Sequence, residues 1–384
     1  MTGLLDLLDG DLYAGDPDPV YAWLREHAPA YHDVGNGLWG ISRHADISAI
    51  ERDPKLWTST VGYRPQLPSE PSMIGLDDPE HAERRRLLYR RFTPRHVRER
   101  HSGHIREFVV ELIDRALERG AVDAVADLAA PLPARVIGRL LGFPDEDWPR
   151  LKHWSECTIV AGGGLRYVTH EAAVAAVEYG AAVLELAAER RARPKDDLVS
   201  LWCAGHYDDD MLANEALLLL DGGAETTRTV IATAIDALIR HPAQWRLLRE
   251  NRELMEGAVE EFIRWTTPIL NMCRAATRDT CLHGQRISAG QQVLLMYGSA
   301  NRDPEVFADP GLFDVTRKPG GHLAFGLGTH FCLGAALARL ELRIFFEEWL
   351  DRVGSAGWAD QEGPRILPNA FVRGVTSFPI TVAG

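Results

Sequence analysis

One stretch near the C-terminal end, HLAFGLGTHFCLG over residues 322–334, surrounds a single cysteine with glycines, two histidines and two phenylalanines. A cysteine that holds a metal must be deprotonated, reachable from one side only, and shielded from oxidation. A helix starting beside Cys332 supplies unpaired N–H groups and the positive end of its dipole, and both lower a thiol pKa. Gly326, Gly328 and Gly334 let the backbone turn tightly and approach both the sulfur and a flat ligand without a Cβ in the way. Phe325 and Phe331 add apolar cover. A lone thiolate in such a loop suits a metal already held by other ligands. Haem iron is the obvious case, and thiolate ligation is the form that favours O–O cleavage.

A second group of residues interrupts a long apolar segment, LLLLDGGAETT, inside residues 208–242. Two adjacent glycines, Gly222 and Gly223, cost a helix about 1 kcal/mol each relative to alanine. A distortion with a compensating role is therefore expected there. Glu225, Thr226 and Thr227 follow at once, and buried acids and hydroxyls need partners. A hydroxyl bonding back onto its own helix would also meet that need. Elsewhere His81 and Arg85 share one helical face at i, i+4, and Glu261 and Arg264 form an i, i+3 pair.

The run F-G-x-G-x-H-x-C-x-G at residues 325–334 resembles the haem-binding loop of the cytochrome P450 superfamily, with no departure at its defining positions. GGAETT, DDPEH, E-x-x-R and the segment NRDPEVFADPGLFDVTR are similar to further motifs of that family and stand in family order. The texture is closest to bacterial, ferredoxin-dependent members of actinobacterial type. The resemblance implies a mainly α fold with a minor β-sheet region, and haem b between the long central helix and the helix after the cysteine. It implies Cys332 as axial ligand, with Phe325, Gly326 and Gly334 against the cofactor. His81, Arg85, Arg274 and His330 would meet the propionates. Gly222 and Gly223 would leave room for O2, while Thr226 and Glu225 deliver protons. Glu261 and Arg264, joined by Arg317, would be structural. Met73, Ile74, the loop near Gly163, Ile269, Leu270, Phe371 and Val372 would line an apolar cavity.

The implied activity is a monooxygenase that puts one oxygen atom of O2 into a hydrophobic small molecule: a sterol, a fatty chain or a secondary-metabolite intermediate. A peroxide-driven enzyme of the same fold, or a haem-binding sensor, are the alternatives. The Glu225/Thr226 pair speaks against both. No flavin or iron–sulfur cysteine pattern occurs, so electrons are expected from a ferredoxin-type donor.

The elements that must position these residues are mostly helical. Helical periodicity is expected over residues 104–120, 169–194 and 208–242, each closed by Gly or Pro. Strand patterning is sparse: residues 30–42, a stretch from Thr280 to about residue 298, and the C-terminal FPITVAG. Arg274 is expected just ahead of the second of these. With 46% hydrophobic residues and no linker or repeat, one domain over residues 1–384 is expected. A formal charge of −13 argues against a nucleic-acid partner. Residues 83–100, ERRRLLYRRFTPRHVRER, break that trend and offer a basic face on the cysteine side for an acidic donor. The start of the chain has no basic n-region, and no apolar run is long enough to span a membrane. With five scattered cysteines, a reducing, cytoplasmic setting is expected.

Overall fold

The longest helix, Asp209–Arg240, crosses the middle of the molecule in the computed structural model, which describes residues 5–205, 207–318 and 320–384. Its start is set by Asp208, whose side chain accepts from the Met211 N–H at 2.8 Å, with Asp209 and Asp210 at the positive end of the dipole. It stops before Pro242. Leu212, Ala216, Leu220, Ile231 and Ile235 are fully buried, so the apolar residues are covered on several faces. Around it pack helices Pro131–Leu141, Trp148–Ile159, His170–Ala192, Met255–Thr266 and Ala335–Arg352. The helix runs unbroken through Gly222 and Gly223, so the expected distortion is not a break.

The helix expected from residue 104 begins ten residues earlier, at Pro94, and runs to Arg119. Proline at the first helical position costs no hydrogen bond, and Gly120 closes the end at φ +68. Ile105, Phe108, Val109, Leu112, Ile113 and Ala116 form its buried stripe, against the Ala335–Arg352 helix. The N-terminal extension is polar on its exposed sides, which hides its helical period.

The main sheet has five strands, β1 (Ala30–Asp33), β2 (Leu38–Ile41), β3 (Trp57–Thr58), β4 (Asn271–Ala276) and β5 (Gln292–Met296), in the order β1-β2-β5-β4-β3. Only the β2/β5 pair is parallel. Arg274 lies inside β4 rather than ahead of a strand. Almost every β4 residue is buried, so the strand shows no two-residue alternation to read. The C-terminal strand Pro379–Ala383 pairs with Ala121–Asp123 and Ser355–Trp358.

Two devices hold the cysteine loop. Arg264 donates twice to Glu261 at 2.7 Å and also to the carbonyls of Asn301, Pro310 and Leu312. Arg317 completes the cluster on Glu261 at 3.1 Å. Both charges of the Glu261/Arg264 pair are buried, so removing one strands the other at several kcal/mol. The second device is steric. Gly328 adopts φ +68, and a Cβ there would stand 2.3 Å from the backbone oxygen of Glu51, the last residue of helix His44–Glu51. Gly328→Ala is expected to cost about 2 kcal/mol or more and to lower the melting temperature by several degrees. Gly103→Ala, in open space on the Pro94–Arg119 helix, is expected to raise it slightly. Parallel thermal melts of the two variants check this contrast.

Candidate active site

A cavity separates the central helix from the loop that carries Cys332. The Cys332 N–H donates to the Phe325 carbonyl at 2.8 Å, which folds the loop back on itself. The following helix starts at Ala335 with Gly334 as its N-cap, three residues after the cysteine. Burial pushes the Cys332 thiol up, while the N–H groups of Gly334 and Ala335 and the cations Arg85 and Arg339 pull it down. Gly334 has an ordinary φ of −81. A Cβ there would meet only the Cys332 Sγ, at 3.9 Å. The tight turning is done by Gly326 and Gly328 alone, at φ +65 and +68. Phe325 lines the cavity under the Arg339 guanidinium. Phe331 does not shield the sulfur: its ring is 38% exposed, and its carbonyl accepts from Arg85.

Four basic side chains converge on one rim of this cavity: His81, Arg85, Arg274 and His330. The two imidazoles lie 4.3 Å apart, and His330 Nε2 sits 3.2 Å from Ser59 Oγ. Burial, reinforced by Arg274, His81 and Arg85, pushes the His330 pKa down to about 2. His81 is likewise lowered, chiefly by burial, although Asp78 lies 3.2 Å from its Nδ1. Among the described residues the buried carboxyl at this rim is Glu51, 3.8 Å from Arg274 and bonded to the Tyr297 hydroxyl at 2.6 Å. Its own pKa is pushed up to about 7 by burial, so it neutralises the cluster poorly. Two guanidiniums and two imidazoles crowded this way without matching anions fit the two carboxylates of a haem, on the same cavity as a lone cysteine sulfur. Among the described residues, no three metal-ligating side chains converge.

On the opposite wall the two glycines differ. A Cβ on Gly222 would meet nothing within 4 Å, so this position leaves open room. A Cβ on Gly223 would come within 2.9 Å of Ile137, so this glycine serves helix packing as well. Thr226 Oγ1 donates to the Gly222 carbonyl at 2.7 Å, the back-bond onto its own helix. Glu225 does not line the cavity. It is buried and ion-paired to Arg228 at 2.8 Å, and Arg228 also reaches Glu156, itself 2.7 Å from Lys152. Burial pushes the Glu225 carboxyl up to about 7, with Arg228 opposing.

Of the apolar residues expected to face the substrate, Met73, Ile74, Ile269 and Phe371 line the cavity. Leu270 does not: alternation along the chain turns it into the core with Leu7, Leu8 and Met296. Val372 is turned away too, in a bridge with Ile269. Gly163 packs against Tyr167, and its neighbour Gly162 against Phe371. Among the cavity residues that had not been anticipated are Arg64 and Asp221. Asp221 is legible as a charge inside LLLLDGG, whereas nothing around Arg64 marks it.

Replacing Glu225 by glutamine tests the burial of that acid. Its folded pKa near 7 lies above the unfolded value of 4.5, so the wild type loses the benefit of the bound proton as pH rises between these values. Denaturant titrations are expected to show wild-type stability falling relative to Glu225→Gln from pH 4.5 to about 7, then running parallel. A constant difference across that window would contradict the shift.

Residues 185–353 match the family pattern described as Cytochrome P450. The Steroid C26-monooxygenase of Mycolicibacterium smegmatis is 40% identical over 387 residues, spanning 98% of this chain and 95% of that protein. The Methyl-branched lipid omega-hydroxylase of Mycobacterium tuberculosis is 35% identical, spanning 94% and 88%. Among solved structures, CYP109E1 from Bacillus megaterium in complex with testosterone superimposes with a TM-score of 0.89 at 31% identity, covering 97% of this chain and 99% of that one.

Proposed function

The chain belongs to the cytochrome P450 family, and from that premise we propose that it oxidises an unactivated carbon of a sterol or fatty-chain substrate with electrons from a ferredoxin-type protein. It is an oxygen-inserting enzyme with cysteine-ligated haem b. When bound, the haem supplies activation of O2 and transfer of one oxygen atom. Everything else is the work of this chain's side chains. Cys332 is the thiolate ligand, its loop closed by the bond from its N–H to the Phe325 carbonyl. Arg85, Arg274, His81 and His330 bind the propionates. Gly222 keeps a side chain away from the oxygen, and Thr226 presents a hydroxyl beside it. Glu225, tied by Arg228 to Glu156 and through it to Lys152, is the acid that holds a proton next to Thr226 on the helix. The observation that carries this reading is that Cys332, the His81, Arg85, Arg274 and His330 rim, Gly222 and Thr226 all line one cavity.

The electron donor docks on the basic face. Arg86, Arg90 and Arg98 are exposed and form no ion pair among the described residues, and Tyr89 beside them is 60% exposed. This positive patch on a chain of net charge −13 adjoins the cysteine loop through the Arg85 contact to Phe331. Opposite charge on a partner steers encounter and orients it there. The relatives named for a steroid and for a methyl-branched lipid support a hydrophobic substrate with an alkyl end. We place the protein in the cytoplasm, as one unit over residues 1–384. No described helix is long and apolar enough to cross a membrane.

Reconstitution with NADPH, a ferredoxin reductase and an acidic ferredoxin, followed by mass analysis of sterol and fatty-acid incubations, tests the reading. Product gaining one oxygen is expected with the redox chain and much less with hydrogen peroxide; the reverse order would contradict it. Thr226→Ala is expected to keep consuming NADPH while its yield of product per electron falls several-fold. Arg90→Glu with Arg98→Glu is expected to raise the KM for ferredoxin about tenfold at low salt, with the difference shrinking at high salt.

A further inference from the structure

The cavity is apolar along Met73, Ile74, Ile269 and Phe371, and apart from the basic rim and Glu51 its lining includes Arg64 and Asp221. Asp221, directly before Gly222 on the central helix, is 3% exposed. Its Oδ1 accepts from the Thr158 hydroxyl at 2.7 Å, and its Oδ2 has no hydrogen-bond partner. The nearest cation, Arg64 Nη2, stands 3.9 Å from that Oδ2, beyond hydrogen-bond reach. Arg64 is 8% exposed and donates from Nη1 to Glu70 at 3.2 Å, while its Nε is unpartnered. Its guanidinium is fixed between the rings of Tyr63 and Phe371, at 5.1 and 5.8 Å. Tyr63 in turn holds Glu70 with a 2.9 Å bond. Each orphaned buried polar atom costs about 1–3 kcal/mol. Both atoms belong to residues that line the same cavity, and a ligand group reaching them there would satisfy both.

We propose that Arg64 and Asp221 form a hydroxyl anchor: the natural substrate is a hydrophobic molecule carrying an alcohol that accepts from Arg64 and donates to Asp221 Oδ2. The proposal rests on the reading of this cavity as the site where a sterol or fatty-chain substrate is oxidised, and it specifies that substrate. Charge decides among the candidates. Arg64 already faces two acids, Glu70 and Asp221, so a substrate carboxylate would be a third anion. An ammonium would meet the Arg64 guanidinium. A ketone or ether accepts from Arg64 but leaves Asp221 Oδ2 unpaired, and a plain hydrocarbon leaves both unpaired. A hydroxyl is neutral and both donates and accepts. Burial also pushes the Asp221 carboxyl up to about 7, which makes a neutral partner preferable to a charged one.

The test is a set of equilibrium dialysis measurements on the haem-loaded enzyme with dodecane, dodecan-1-ol and dodecanoate. Wild type is compared with Asp221→Leu and Arg64→Met, each first shown to fold by its reduced CO spectrum. Comparing one ligand across proteins cancels its own solvation. Dodecan-1-ol is expected to bind about tenfold more weakly to both variants, with dodecane unchanged or tighter. Two results would overturn the anchor alone: equal changes for alcohol and alkane, or selective loss of dodecanoate on Arg64→Met with its gain on Asp221→Leu, which would mark a carboxylate site. If none of the three binds wild type, the fatty-chain reading falls and the anchor falls with it.

Discussion

Two guanidiniums and two imidazoles share one rim of a cavity into which a single cysteine sulfur faces, and the protein supplies almost no negative charge to balance them. Burial, reinforced by the like charges of Arg274, His81 and Arg85, suppresses protonation of His330 and holds its pKa down to about 2. The buried acid at the rim, Glu51, is itself pushed up to about 7 by burial. An arrangement of this kind is stable only because the rest of the chain over-determines it. The residues come from three separate elements: the helix Glu80–Tyr89, strand β4 and the cysteine loop. The Glu261–Arg264–Arg317 cluster and the close approach of Gly328 to Glu51 fix the loop against them. A dianionic cofactor with a central iron meets both demands, the charge at the rim and the open coordination at sulfur.

The central helix carries the complementary half of the design. It is apolar enough to be buried, yet it presents Asp221, Thr226 and Glu225 within six residues. These groups have separate destinations. Thr226 turns to the cavity and meanwhile satisfies itself on the Gly222 carbonyl. Glu225 faces the other way, onto Arg228 and then Glu156. Asp221 faces the cavity with one oxygen paired and one free. Burial raises the pKa of both acids, so the helix holds protons near neutral pH where a surface carboxyl would not. Under the proposed reading, specificity and proton supply share one element packed into the core.

What was legible in the sequence follows physical logic. Cys332, its glycines, the Gly222/Gly223 pair and the Glu261/Arg264 spacing are local patterns whose chemistry is read within a few residues. The long helix was legible because Asp caps and a proline stop bracket it. Features set by tertiary contact were not. Whether Gly223 frees space or packs depends on Ile137, which is distant in sequence. Leu270 and Val372 look as apolar as their neighbours Ile269 and Phe371, and only strand alternation decides which of each pair meets the cavity. Arg274 was legible as a residue, but the strand that carries it is buried on both faces and shows no alternation. Arg64 was silent because its partners, Glu70 apart, come from the central helix and the C-terminal region.

The claim on which all else rests is that Cys332 is the sole thiolate ligand of a haem held by that rim. The direct measurement is the absorption spectrum of the reduced, CO-bound protein, wild type beside Cys332→Ala. The account predicts the red-shifted Soret band of thiolate ligation in the wild type and its complete loss in the variant. A thiolate band that persists without Cys332 would contradict it.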